Sequence, residues 1–365
     1  MLEISGRLPG TIDEARRSME ICNACRYCEG FCPVFPAMEL RRAFSDSDLT
    51  YLANLCHNCK GCYHACQYAP PHEWGINLPR TFAELRAETY EDHAWPAGFG
   101  RVFRRNGFWV SMVTALSLGL VMVLTMALQE EATLYGNHRG PGAFYAVIPY
   151  GVMVTLGGLT FGWAAVAMAL GAWSFWRAAG GGPVRWAALK AALADAGRTR
   201  HLGGGGDGCN DVDEGFTPAR RHLHLATMWG FLLCFAATSA ATVMDHILGW
   251  QAPYSWYSLP VMLGTIGGIG LVAGTAGLFA IKFKTDRAPE ATHHWGMDLG
   301  LLGLLHFTAL TGLALLFFRH TSAMGMLLAI HLGFVLALFV TLPYGKMVHG
   351  LYRLLALMRH HNEQP

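Results

Sequence analysis

The chain has 365 residues, 53% of them hydrophobic and 14% charged, with a formal net charge of +2. It is too apolar for a soluble protein of this size, and the near-neutral balance excludes a nucleic-acid-binding surface. The stretch Met1–Glu20 is polar and charged, unlike a secretory leader, so no disulfide scaffold is expected of the ten cysteines.

Eight of those cysteines form two runs, Cys22-x-x-Cys25-x-x-Cys28-x-x-x-Cys32-Pro33 and Cys56-x-x-Cys59-x-x-Cys62-x-x-x-Cys66. At this spacing three thiolates grip three corners of an iron–sulfur cube, and the fourth Cys of each run reaches the other cube. Structural zinc favours two ligand pairs across a longer spacer. The reading is therefore two [4Fe–4S] clusters, one on Cys22, Cys25, Cys28 and Cys66, the other on Cys56, Cys59, Cys62 and Cys32. One departure is that Gln67, not Pro, follows Cys66. Between the runs, Ala37–Leu55 reads helical, with Ser47 as a cap ahead of Leu49, Leu52 and Leu55. No alternating strand pattern occurs there, which predicts an α-helical rather than a β-rich ferredoxin-like domain over residues 1–95. Pro96, Gly98 and Gly100 mark its end.

From residue 96 to 365 the pattern is that of a membrane domain. Six long stretches lack acidic and basic residues, and each supplies the ~20 apolar residues that a membrane helix needs. The predicted spans are about 108–128, 150–175, 223–245, 256–281, 297–318 and 322–345, and the fold class is all-α. An interfacial segment ending near Pro149 precedes the second span. The loop Arg177–Arg221 reads as a flexible linker, with glycines at 180–182 and 203–206 and a short interfacial helix over Val184–Ala196 (Trp186, Leu189 and Leu193 on one side). Cys209 in this linker and Cys234 in the third span are not read as ligands. Gly264, Gly267, Gly268, Gly270 and Gly274 sit inside the fourth span, where small residues let helices approach closely, so they are not read as a nucleotide fingerprint. Lys and Arg crowd the loops on the side of the N-terminal domain, while Arg139 and Arg319 stand on the other. This asymmetry predicts both termini and the cysteines in the cytoplasm.

Histidine inside lipid is usually functional, and haem b takes two axial imidazoles from facing helices. His331 and His349 share a helix face about five turns apart, and His224 and His246 share one about six turns apart. With the helices antiparallel, His224 meets His349 on the cytoplasmic side and His246 approaches His331 on the outer side, which fits two stacked haems. His222 is an alternate for His224, and His306 an alternate for His246. Asp298, at the cytoplasmic start of the fifth span, is a candidate proton donor, although a solvated interfacial carboxylate is the plainer reading.

The segments Ile21–Cys32, Tyr51–Cys62, Gln67–Glu73, Arg220–His224, Gly230–Phe235 and Thr341–His349 resemble the tricarballylate utilisation protein B (CitB-type) family. The likeness covers nearly the whole chain. The last span is also similar to the haem-binding last helix of the nitrate reductase gamma subunit. The family resemblance implies an electron-transfer partner in the bacterial inner membrane. A separate FAD-dependent tricarballylate dehydrogenase is left with FADH2, and this chain passes the electrons through clusters and haem to membrane quinone. Two other readings stay open: a quinone-linked subunit of a heterodisulfide-type or other anaerobic reductase, and a membrane redox sensor without turnover.

Overall fold

The computed structural model describes residues 10–204 and 208–364. Among them are fifteen α-helices and no β-strand. The N-terminal part holds α1 (Thr11–Cys25), α2 (Val34–Glu39), α3 (Asp46–Leu55), α4 (Gly61–His64) and α5 (Leu78–Asp92). The residue capping α3 is Ser45, two positions earlier than the sequence suggests. Its hydroxyl accepts from the Asp48 N–H at 3.2 Å, and the Asp48 carboxylate accepts from the Ser45 N–H at 3.3 Å. That reciprocal box satisfies two orphan donors at once, which Ser47 does not offer.

A 3₁₀ turn over Ala97–Arg105 leads into α6 (Asn106–Leu128). The short α7 (Glu131–Leu134) and α8 (Ala143–Val147) follow, and Pro149 then starts α9 (Tyr150–Ala178). The remaining helices are α10 (Trp186–Gly197), α11 (Ala219–His246), α12 (Leu259–Lys284), α13 (Trp295–Phe318), α14 (Met324–Thr341) and α15 (Val348–Glu363). Six of these helices are long and apolar enough to cross a membrane, in the places the sequence marks.

Glycines set the closest pairing, between α11 and α12. A Cβ on Gly267 would stand 2.8 Å from the Gly230 carbonyl oxygen, and one on Gly274 would stand 2.5 Å from Thr227 Oγ1. The two backbones therefore touch where larger residues would hold them apart. Helix α10 lies along α15 with Ala188, Ala192 and Asp195 buried, while Trp186 and Leu193 face outward. One hydrophobic core joins α1, α3 and α5 to Phe175 and Trp176 of α9, Ala188 and Ala192 of α10, and Tyr352, Ala356, Leu357 and Met358 of α15.

Candidate functional site

Cys22 and Cys25 lie in the last turn of α1, Cys28 and Cys32 on the turns after it, Cys56 caps α3, and Cys59, Cys62 and Cys66 surround α4. None of the ten cysteines is in a disulfide. Their mutual influence falls into two sets. Burial pushes the Cys22 thiol up to about 12, and Cys66, Cys28 and Cys25 add to the shift. Burial likewise pushes Cys28 up to about 12, with Cys66, Cys25 and then Cys59 adding to the shift. Cys32 is raised first by burial and then by Cys59, Cys56 and Cys28, and Cys62 first by burial and then by Cys59, Cys32, Cys56 and Cys28. The fold thus gathers Cys22, Cys25, Cys28 and Cys66 into one group and Cys32, Cys56, Cys59 and Cys62 into a second, with Cys28 close to both.

No three His, Cys, Asp or Glu side chains among the described residues converge on a single metal ion. Thiols that grip separate corners of a cube stand farther apart than donors around one ion. A cavity lined by Cys22, Cys25, Cys28, Cys62 and Cys66 lies between Phe35 and Leu78. The backbone at both runs is wound to suit. Among the described residues four non-glycines have positive φ, and three of them, Arg26, Asn58 and Lys60, sit inside the runs. Each such conformation costs about 1–2 kcal/mol, and it aims backbone N–H groups at sulfur. The Asn58 N–H, for example, donates to Cys56 Sγ at 3.4 Å. The residues present fit a cluster in each group.

The segment read as flexible linker instead packs over the second group; Gly205, Gly206 and Asp207 lie outside the described residues. Asn210 N–H donates to the Cys59 carbonyl at 3.0 Å, and Cys209 is buried between Leu202 and Cys59. Arg220 donates to the Asn58 carbonyl at 2.7 Å. From the other side, Arg353 of α15 and Arg86 of α5 donate to the Cys56 carbonyl at 2.9 and 3.2 Å. Lys60, between Cys59 and Cys62, is 1% exposed and pairs with Glu290 at 2.8 Å. Burial pulls the Lys60 pKa down even with Glu290 beside it, so this cation is held at an energetic cost. None of these four cations is marked by spacing in the sequence, because each acts through a tertiary bond to a carbonyl or a carboxylate. Position alone hints at two: Lys60 lies inside the second run, and Arg353 is one helical turn beyond His349.

The histidines divide sharply. His224 of α11 and His349 of α15 face each other with ring centres 6.2 Å apart. His349 Nδ1 donates to the Lys346 carbonyl, leaving Nε2 free, and His224 Nδ1 is buried without a partner. A metal between two imidazoles needs two bonds of about 2 Å plus the distance from each nitrogen to its ring centre, so this gap suits a hexacoordinate iron. His222 is exposed and turned away. His331 Nδ1 donates to Thr311 Oγ1 at 3.2 Å, and that hydroxyl is itself committed to the Phe307 carbonyl. His306 Nδ1 stands in the same relation to Thr275 Oγ1, at 2.9 Å, with that hydroxyl committed to the Leu271 carbonyl. Both rings therefore keep Nε2 as a free lone pair. His246 is exposed and bonds the Tyr150 hydroxyl, and no ring contact joins it to His331 among the described residues. The helix registers turn it toward α9, which spacing along one helix does not reveal. Asp298 is not a solvated carboxylate: it pairs with Lys346 at 2.8 Å and Lys282 at 2.9 Å.

The model of the citrate utilization protein B family matches residues 102–365, and that of the citrate utilization protein B Fer4-like domain matches residues 15–92. The chain is 47% identical over 350 residues to the citrate utilization protein B of Escherichia coli, covering 95% of this chain and 91% of that protein. No solved structure matches it.

Proposed function

The chain belongs to the citrate utilization protein B family and carries its Fer4-like domain, and from that premise we propose that it is the electron-transfer partner of a separate FAD-dependent tricarballylate dehydrogenase. Membership with a Fer4-like domain is consistent with an iron–sulfur electron-transfer role; the partner, haem and quinone are this proposal's own additions. Tricarballylate is citrate without its hydroxyl, and its dehydrogenation to cis-aconitate leaves two electrons on the partner's flavin. FADH2 releases two electrons and two protons, and a membrane quinone takes up the same number. Two [4Fe–4S] clusters and haem b, when bound, carry those electrons one at a time between the two pair-exchanging groups.

In this reading Cys22, Cys25, Cys28 and Cys66 hold one cluster, and Cys32, Cys56, Cys59 and Cys62 the other. His224 and His349 hold an inner haem through Nε2, with the Lys346 carbonyl fixing the tautomer of His349. A second, outer haem takes His331, and His306 is its better-matched partner, because both rings donate Nδ1–H to a threonine and leave Nε2 bare. His246, exposed and bonded to Tyr150, is the weaker choice. Lys282 and Lys346 both pair with Asp298 at the cytoplasmic end of α13, so it serves as an anchor rather than a free proton donor. The bias of Lys and Arg toward the cysteine side supports a cytoplasmic location for both termini in the inner membrane.

The single observation that carries the reading is the meeting of His224 and His349, with Arg353, one turn on from His349, bonded to the Cys56 carbonyl of the second cysteine group. The test is a dithionite-reduced-minus-oxidised spectrum of the anaerobically purified protein, with iron and haem quantitation. About eight cluster irons and a b-type α-band are expected. No α-band removes the haem half. A redox sensor without turnover predicts no quinone reduction when membranes are given the flavoprotein and its substrate.

A further inference from the structure

The two cysteine groups share one spacing but not one electrostatic setting. A [4Fe–4S] site takes up one electron and no proton, so its reduced form is one unit more negative. Fixed positive charge nearby favours that form, and weak screening in a buried site strengthens the effect.

Around Cys22, Cys25, Cys28 and Cys66, the cation bonded into the loop is Arg26, which is exposed and donates to the Asn23 carbonyl at 2.9 Å. Tyr27 beside it is 70% exposed. Around Cys32, Cys56, Cys59 and Cys62, four cations converge. Arg353 and Arg86 share the Cys56 carbonyl, Arg220 holds the Asn58 carbonyl, and Lys60 is buried between two of the cysteines. Two carboxylates answer them: Glu290 pairs with Lys60 at 2.8 Å and is shared with Lys282, and Asp211 pairs with Arg220 at 3.3 Å. The surroundings keep a net positive charge. Burial of Cys56 and Cys59 opposes added negative charge, but the cations share that same poorly screened space.

We propose that Lys60, Arg86, Arg220 and Arg353 make the Cys32–Cys56–Cys59–Cys62 site the higher-potential of the two and the exit toward the membrane, with Arg353 as the positioning residue that fastens it to the helix carrying His349. This rests on the two-cluster reading above. The geometry gives the direction as well. Arg353 is rooted one turn beyond His349 on α15 and reaches the Cys56 carbonyl, while the exposed Tyr27 side of the other site faces a donor in water.

The test is a potentiometric titration of the reduced-cluster EPR signals in the purified full-length protein, after iron and sulfide quantitation. Fewer than two clusters in the wild type defeats the two-cluster reading itself and is told apart at that step. With two clusters present, Cys59→Ser removes the signal that appears at higher potential, and Cys25→Ser the one at lower potential. Lys60→Met and Arg353→Leu shift only the higher signal downward, and Lys60→Arg and Arg353→Lys restore it toward wild type. A merely structural role predicts lost iron without a selective shift. Should Cys59→Ser remove the lower-potential signal, or should fully loaded Lys60→Met keep both midpoints, the proposal is overturned. If one pair of variants fails to load, the other decides.

Discussion

His349 is held by a carbonyl on one side and faces His224 on the other, so the two nitrogens of one ring do separate work. Removing the ring removes a ligand without touching the cysteines. His349→Ala is expected to lose one full haem equivalent by pyridine haemochrome assay while cluster iron stays unchanged; unchanged haem would break the pairing with His224. Glu290 is a different kind of residue. Burial alone would raise its pKa, but Lys282 and Lys60 outweigh burial and hold it down to about 2. Its folded value lies below the ordinary 4.5, so this stabilisation is complete above about pH 4.5 and fades as pH falls toward 2. Glu290→Gln leaves two buried ammonium groups without their shared partner, at a cost of about 3 kcal/mol. A lowered melting temperature at pH 7 is expected by circular dichroism, with a flatter acid profile than wild type. Equal melting at pH 7 would show the network to be energetically idle. Residue by residue, His224 and His349 were legible in the sequence as histidines at the same end of two antiparallel spans, but the unbroken five-turn stripe expected from His331 to His349 does not exist: α14 ends at Thr341 and a turn through Leu342–Tyr344 re-aims the chain before α15 begins at Val348. Arg86, Arg220 and Arg353 were not legible, because a guanidinium aimed at a carbonyl leaves no periodic trace.

Among the elements, the apolar spans were readable from length and charge alone, and the glycines of α12 announced a close neighbour without naming it. The neighbour is α11, which also carries His224. Gly267→Leu inserts four carbons where a single Cβ already meets the Gly230 carbonyl oxygen at 2.8 Å. Overpacking of this kind costs about 1–3 kcal/mol, and here it pushes α11 outward as a body. The variant is expected to melt lower in detergent and to lose haem at the His224 site, whereas Gly119→Leu, at a glycine of α6 in open space, is expected to do neither. Haem retention in Gly267→Leu would mean the seam does not set the position of His224. The linker over Cys59 lay beyond sequence reading for the opposite reason. Its glycines carry no periodic pattern, and its order comes from Asn210, Cys209 and Arg220 meeting the second cysteine run, contacts 150 or so residues apart in sequence.

At the scale of the whole molecule, the composition break near residue 95 divides polar from apolar chain, but it does not divide the core. Tyr352 of α15 stacks on Phe175 of α9 with ring centres 4.8 Å apart and meets Tyr90 of α5 at 5.7 Å. Arg41 and Arg359 bind Asp48 and Glu363 in a four-membered network that ties α3 to the end of α15, and both guanidinium groups lie over the Tyr51 ring. The Cys56 carbonyl keeps only Arg86 if α15 is removed, and the Cys59 carbonyl loses Asn210 with the linker. Cluster binding and folding are coupled, so a weakened scaffold shows first as weakened loading. Residues 1–95 expressed alone are therefore expected to retain well under the about eight irons of the full chain after anaerobic reconstitution and gel filtration. The loss should fall mainly on the Cys32–Cys56–Cys59–Cys62 site, which draws Cys209, Asn210, Arg220 and Arg353 from beyond residue 95. An isolated fragment that holds both clusters and melts as cooperatively as the intact protein would show that the shared core is contact without dependence, and that the cysteine domain stands on its own.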